Sequence, residues 1–285
     1  MRSILTIILL LAFFVNPLAA QELTGTLKQI KKSGKIRIGY RATSPPMSFI
    51  NPAGEPDGYS NDLCKKIAKG AEEKVGTSIT VEYVPVTAKE RFSALVDKKI
   101  DILCGPTTKT LSRGELVDFT QLTFVTGASL MTMKGKHIND TAALNGKKVG
   151  VVKGTTTQGA LKNLLKKTLT IAVTVTYEDY DGGLDGLRNG EIDAFAADQI
   201  TLIGLASNAE DAEKFTIASV VFSYEPFALA VRRNDADFRL VADRALAELS
   251  RTGEILQIYE RWVGRFVPQR PAVYDALFQL NATPE

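Results

Sequence analysis

The strongest constraint on this chain is a pattern that it writes twice. Ala94-Leu95-Val96-Asp97-Lys98-Lys99-Ile100-Asp101 runs from a short helix through a polar turn into Ile-Asp and a strand. Asp185-Gly186-Leu187-Arg188-Asn189-Gly190-Glu191-Ile192-Asp193 repeats that scheme in kind. Each copy sits inside a longer alternation of strand and helix, and such alternation implies parallel β/α units. The predicted fold class is therefore α/β, with two lobes. Each lobe is expected to be a mostly parallel sheet flanked by helices.

In the first half, alternation and β-branched content predict strands over 35–40, 79–84 and 100–104. Ser44-Pro45-Pro46 enforces an extended loop, because proline cannot donate to a ladder. A helix is predicted over 60–75, with Leu63, Ile67 and Ala71 on one stripe and Ser60, Asn61 or Asp62 as its cap. Phe92, Leu95 and Val96 mark a short helix. The second half gives strands over 147–152, 171–177 and 192–197, with helices through Leu161, Leu164 and Leu165 and through Leu184 and Leu187. The apolar extended runs 124–133 and 227–231 are read as strands crossing between the lobes. Residues 235–266 form an amphipathic helical region that returns to cover the first lobe, with Trp262 in the core. The resulting division is a leader over 1–20, the first part of lobe one over 21–128, lobe two over 129–224, and the rest of lobe one with a tail over 225–285.

The leader follows from Arg2, an apolar run from Ile4 to Val15, and Pro17-Leu18-Ala19-Ala20, the pattern of a secretory signal peptide cleaved after Ala20. The remaining length is long for one core and short for three. A formal charge of +3, with lysines spread along the chain, gives no basis for a nucleic-acid partner. Export also permits a disulfide between the two cysteines, Cys64 and Cys104. A helix packed on its own sheet would bring them together; two separate buried thiols are the alternative.

The chemistry concentrates where the third strand ends, in Cys104-Gly105-Pro106-Thr107-Thr108-Lys109-Thr110-Leu111-Ser112-Arg113. Such a turn leaves backbone N–H groups unpaired, sets hydroxyls beside them and adds a guanidinium fork. These groups suit a small carboxylate held away from bulk water. In sheets of this kind ligands lie beyond the carboxyl ends of the strands. Two lobes facing each other would make a cleft with strand ends on both walls.

Several segments then match a family, in order, over most of the chain. They are Gly58-Tyr59-Ser60-Asn61-Asp62-Leu63, Ile100-Asp101-Ile102-Leu103-Cys104-Gly105 with Thr107, Thr108 and Arg113, and Val117-Asp118-Phe119-Thr120. Leu144-Asn145-Gly146-Lys147-Lys148-Val149-Gly150, Gly154-Thr155-Thr156-Thr157 and Ile192-Asp193-Ala194-Phe195 follow. Together they resemble the polar-amino-acid solute-binding proteins of ABC importers. Gly39-Tyr40-Arg41 and Cys104-Gly105-Pro106-Thr107-Thr108 resemble the glutamate/aspartate branch. The resemblance implies a type II periplasmic-binding fold that closes around one amino acid, with permease subunits as partners; the signal peptide gives a periplasmic location, and a monomer is the default for a cleft receptor.

Carried over residue by residue, the resemblance implies that Arg113 holds the ligand α-carboxylate. Thr107, Thr108 and the N–H groups of their turn assist, and Thr155 and Thr156 reach the same carboxylate from lobe two. It further implies that Asp198 takes the α-ammonium and that Arg41 and Arg91 take a side-chain carboxylate. A cationic ligand side chain would meet a like charge at Arg41, which excludes lysine and arginine as preferred ligands. Pro106 and Ala88 stand where that branch has serines, Tyr180 where it has a ligand-binding histidine, and Ser44 where many members have a stacking aromatic. These departures leave a carboxylate ligand without specifying glutamate.

An enzyme would need a catalyst. The one histidine, His137, follows the first crossing strand and is read as solvent-exposed, metal ligands do not cluster, and no phosphate loop is written. No cofactor is therefore expected. A periplasmic dehydratase of cyclic diene acids uses a related fold. Glu178 and Asp179, near the expected cleft wall, are candidate acid/base carboxylates for such a reaction, with a solvated loop pair as the ordinary alternative. Presentation of the ligand to a membrane sensor is a further alternative to import.

Overall fold

The computed structural model describes residues 22–136, 138, 141–267 and 269–285. The leader and His137 lie outside these described residues. The chain runs through α1 (Gly25–Ser33), β1 (Lys35–Tyr40), β2 (Thr43–Ser44), β3 (Ser48–Ile50), β4 (Pro56–Asp57), α2 (Tyr59–Val75), β5 (Thr80–Pro85), α3 (Arg91–Val96), β6 (Ile102–Cys104) and α4 (Leu111–Gly114). β7 (Val117–Thr126) and β8 (Ala128–Met133) follow, then β9 (Lys148–Val152), α5 (Thr156–Lys167), β10 (Val173–Tyr177), α6 (Tyr180–Arg188), β11 (Ala194–Asp198), α7 (Gln199–Asn208) and β12 (Phe215–Ile217). β13 (Glu225–Arg232), α8 (Ala236–Thr252), α9 (Glu254–Tyr259) and α10 (Ala272–Asn281) close the chain.

The strands form two five-stranded sheets, ordered β5-β1-β6-β13-β7 and β10-β9-β11-β8-β12, and a small sheet β2-β3-β4. Each large sheet has three parallel strands on one side and antiparallel partners on the other. The fold is thus the expected two-lobed α/β arrangement. Tyr59, Phe124, Phe227 and Tyr259 pack together between the first sheet and its helices. Leu184, Leu187, Phe195 and Leu202 do so in the second lobe.

The echo in the sequence has a mechanical meaning. Asp101 Oδ2 accepts the backbone N–H of Arg37 at 2.8 Å, and the Asp101 N–H donates to the Arg37 carbonyl. Asp193 Oδ2 accepts the backbone N–H of Lys148 at 2.9 Å, and its N–H donates to the Lys148 carbonyl. In both lobes the Ile-Asp pair fixes the register of two parallel strands, and so fixes where their far ends stop. Buried Asp101 also pairs with the partly exposed Arg37 and Arg232.

The first crossing is nearly continuous: β7 ends at Thr126 in one sheet and β8 begins at Ala128 in the other. Gly127 is required between them, since a Cβ there would come within 2.5 Å of the Ser223 carbonyl oxygen. The return crossing is carried by 218–224. Ala218 and Phe222 N–H donate to the Leu130 and Ala128 carbonyls on the way. Phe227–Val231, read from sequence as the crossing itself, lies inside the first sheet between β6 and β7.

Two local readings need revision. Helix α2 starts at Tyr59 with Gly58 at its cap, φ 124°, and none of the polar residues read as caps has that role. Asn61 and Asp62 instead turn inward: Asn61 Nδ2 donates to the Asp57 carbonyl, and Asp62 Oδ2 accepts from the Trp262 indole at 2.8 Å. The tail also forms α10, whose Tyr274 and Phe278, one turn apart, close over Phe124 and Tyr259. Cys64 of α2 and Cys104 at the end of β6 are joined as a disulfide, with their Cα atoms 6.3 Å apart.

Candidate functional site

Strands β6, β9 and β11 point their carboxyl ends at one interlobe region. From the first lobe, β6 leads into Gly105-Pro106-Thr107-Thr108. Gly105 permits the close passage of Arg41, since a Cβ would meet Arg41 Cγ at 2.8 Å. From the second lobe come the head of α5, the end of β11 at Asp198, and Tyr180 at the start of α6. The lobes touch here: Tyr180 N–H donates to Thr43 Oγ1 at 3.3 Å, and Thr108 Oγ1 lies 3.1 Å from Thr156 Oγ1.

Arg41 and Arg91 are 3% and 2% exposed, and Arg113 is half-buried. Among the described residues none of the three is ion-paired; the arginine ion pairs lie elsewhere. Arg91 donates through Nη1 to the Ala88 carbonyl, while its Nε has no partner. Arg113 Nη1 donates to the Thr108 carbonyl at 2.8 Å. Phe92 packs against both Arg91 and Arg113, with guanidinium carbons 4.8 and 5.2 Å from its ring centroid. Arg41 lies over the ring of Tyr180 at 5.8 Å. Burial, with Arg113 and Arg41 nearby, pushes the Arg91 guanidinium well below its ordinary range. Burial also lowers Arg41 and Arg113.

Asp198 is 5% exposed, and its Oδ1 has no hydrogen-bond partner. It stands at the cap of α7 without using its side chain as a cap. Burial, then the charge of Glu225, raises its carboxyl to about 7, against the lowering influence of the three arginines. Tyr180 is pushed up to about 12 by burial and by Asp198, so its hydroxyl keeps its proton.

The threonines divide by role. Thr155 caps α5: its Oγ1 accepts from the Gln158 N–H at 3.3 Å and donates to the Val152 carbonyl at 2.7 Å. Thr107 is fully buried with Oγ1 unpartnered, while its carbonyl accepts from the Ala228 N–H. Thr108 and Thr156 both donate to Glu225 Oε2, at 2.5 and 2.7 Å. Ser44, where an aromatic was expected from the resemblance, is buried with Oγ unpartnered.

Glu225 and Phe92 are members of this cluster that sequence reasoning missed. Glu225 sits where the return crossing enters β13, in Ser223-Tyr224-Glu225-Pro226, which reads as the polar end of a loop. The only signal was an acidic residue directly before a long apolar run. Glu178 and Asp179 have other partners: exposed Glu178 pairs with Lys153, and Asp179, whose charge reaches Arg41, caps α6 by accepting from the Gly182 N–H at 2.8 Å.

Residues 36–265 match the bacterial extracellular solute-binding proteins, family 3. The chain belongs to this family. As a family 3 solute-binding protein, it is 31% identical over 270 residues to an L-glutamate/L-aspartate-binding protein of Pseudomonas aeruginosa, covering 94% of this chain and 89% of that one. Its fold matches an ancestral arginine-binding protein bound to glutamine, with a TM-score of 0.73 and 30% identity, covering 81% of this chain and 98% of the other. It also matches the ancestral amino acid-binding protein AncCDT-1, a precursor of cyclohexadienyl dehydratase. There the TM-score is 0.72 and the identity 29%, over 84% of this chain and 99% of the other.

Proposed function

We propose that this protein is an exported receptor that captures an acidic or polar amino acid between its lobes and delivers it to the permease of an ABC importer. The observation that carries this reading is the set of three arginines without carboxylate partners, two of them almost fully buried, facing a buried carboxylate at Asp198. Buried charge without a partner is costly, and an anionic zwitterion supplies partners for both signs. In this assignment Arg113 holds the α-carboxylate, together with backbone N–H groups at the head of α5, which lack intrahelical acceptors. Asp198 receives the α-ammonium. Arg41 and Arg91, beside Tyr180, receive the side-chain carboxylate. Thr107, Thr108, Thr155 and Thr156 shape the wall between them.

The energies are adequate. A charge-assisted hydrogen bond contributes about 1.5–3 kcal/mol net. Two carboxylate pairs and one ammonium pair offset ordering costs and leave micromolar binding, about −8 kcal/mol. The likeness to the Pseudomonas aeruginosa relative supports an acidic ligand, and the leader pattern supports a periplasmic location. A dehydratase reading is weakened because Glu178 and Asp179 are engaged elsewhere.

Calorimetry and thermal unfolding with the twenty amino acids, dicarboxylates and cyclic diene acids test the proposal. A dose-dependent response to glutamate, aspartate or a close relative supports it. A response confined to cyclic acids, with product formation, rejects it in favour of the enzyme.

A further inference from the structure

Glu225 is 2% exposed and gathers hydroxyl protons from both lobes. Its Oε2 accepts from Thr108 Oγ1 of the first lobe and from Thr156 Oγ1 of the second. Its Oε1 accepts from Ser223 Oγ at 2.6 Å, and Ser223 Oγ in turn accepts the Ala128 N–H at 3.0 Å. A hydroxyl carries one proton, and a carboxylate only accepts. With both protons committed to Glu225, Thr108 and Thr156 have none left to give to a ligand carboxylate. Their oxygens, 3.1 Å apart, form with Glu225 Oε2 a compact triangle of acceptors. Asp198 Oδ1, buried and unpartnered and within electrostatic reach of Glu225, adds a further acceptor to the cluster. A group with several donors and a positive charge satisfies such an array; a carboxylate is repelled by it.

We infer that Glu225 is a positioning residue that turns the Thr108 and Thr156 hydroxyls into acceptors toward the ligand, and so selects acids bearing an ammonium over the same acids without one. This differs from the roles that the family resemblance implies for Thr108 and Thr156, which placed both on the ligand carboxylate. It also explains why the carboxylate end depends on Arg113 and backbone N–H groups. The inference rests on the amino-acid reading above.

The test compares L-glutamate with glutarate and L-aspartate with succinate by calorimetry, on the native protein, Glu225→Gln and Thr156→Val, with thermal unfolding to confirm that each is folded. The native protein should prefer the amino acid of each pair. In Glu225→Gln that preference should shrink by about ten- to hundredfold, the worth of one charge-assisted hydrogen bond, mainly through loss of the amino acid. Thr156→Val, which removes a hydroxyl and leaves the carboxylate, should shrink it in the same direction. It reads the same ratio should Glu225→Gln fail to fold. Equal losses for both members of a pair would mean that Glu225 only braces the lobes, and would overturn the inference. An unchanged ratio in both variants, or a native protein that binds the diacids as well as the amino acids, would overturn it too. A native protein silent to all four probes would overturn the amino-acid reading, and this inference with it.

Discussion

Thr108 Oγ1, in the turn after β6, and Thr156 Oγ1, at the head of α5, lie 3.1 Å apart, although they belong to different lobes and are 48 residues apart in sequence. Around this contact the lobes enclose three arginines and two carboxylates that no single lobe could assemble. The following outcomes are expected from that arrangement.

Arg113→Ala should remove measurable amino-acid binding, a loss of at least about a hundredfold if two charge-assisted hydrogen bonds go. The fold should persist, because among the described residues Arg113 has no ion pair, and its guanidinium touches the Thr108 carbonyl and the face of Phe92. Retained affinity in calorimetry would exclude Arg113 as the carboxylate clamp.

Arg91→Met should make the ligand-free protein more stable while weakening its ligand. A buried guanidinium with no carboxylate partner costs stability, and replacing such charge by an apolar chain of similar volume can gain ~1–4 kcal/mol. Affinity for glutamate or aspartate should fall more than affinity for glutamine or asparagine. Thermal unfolding with and without each ligand reads both effects. An unaltered midpoint together with equal losses for charged and neutral ligands would contradict this account of Arg91.

Binding should strengthen with rising pH up to about neutrality. Asp198 rises from its ordinary 3.8 to about 7 in the fold, by burial and the charge of Glu225. The folded protein thus keeps a proton that the unfolded chain releases between these values. The stability linked to this group is fully present below the lower value and is lost as pH rises through the upper one. A ligand ammonium favours the ionised form, so binding below about pH 7 should release a proton. Affinity there should drop by up to about tenfold per pH unit. Arg41, Arg91 and Arg113 face the same carboxylate and oppose its protonation, while Glu225 favours it. Calorimetry in buffers of different ionisation enthalpy counts the proton; no release near pH 6 would remove Asp198 from the ammonium role.

Denatured, unreduced protein should contain no titratable thiol, because Cys64 and Cys104 are bonded across a separation of 40 residues. Replacing both by serine should cost about 4 kcal/mol by loop-closure entropy. The bond anchors β6 immediately before the Gly105–Thr108 turn, so ligand affinity should weaken along with stability. Two free thiols in the native protein would refute the assignment.

The architecture was readable because it rests on local periodicity. β1 was placed at its observed limits, α2 and β9 within a residue or so, and α6 through Leu184 and Leu187, since each buries one face of a regular element. The Ile-Asp echo marked equivalent points in both lobes. Contacts between distant segments were far less legible. Glu225 looked like the polar end of a loop, because its burial needs Thr108, Thr156 and Ser223 brought from three places. The polar residues at 60–62 resembled helix caps, yet Asp62 serves Trp262, which lies 200 residues away. Helix α10 was overlooked because the prolines before it mask a pattern whose buried members, Tyr274 and Phe278, find their partners only in the finished fold.

Strand β13 lies between β6 and β7, and both of them pair with it. The sheet that starts at Lys35 therefore lacks its interior until residue 232 has arrived, whereas β8 to β12 are contiguous in the chain. As the polypeptide emerges in order from its N-terminus, the second lobe can finish first. The first lobe waits with two unpaired strand edges for the segment that Glu225 begins. A chain truncated before that residue would keep those edges open and recruit strands from its neighbours.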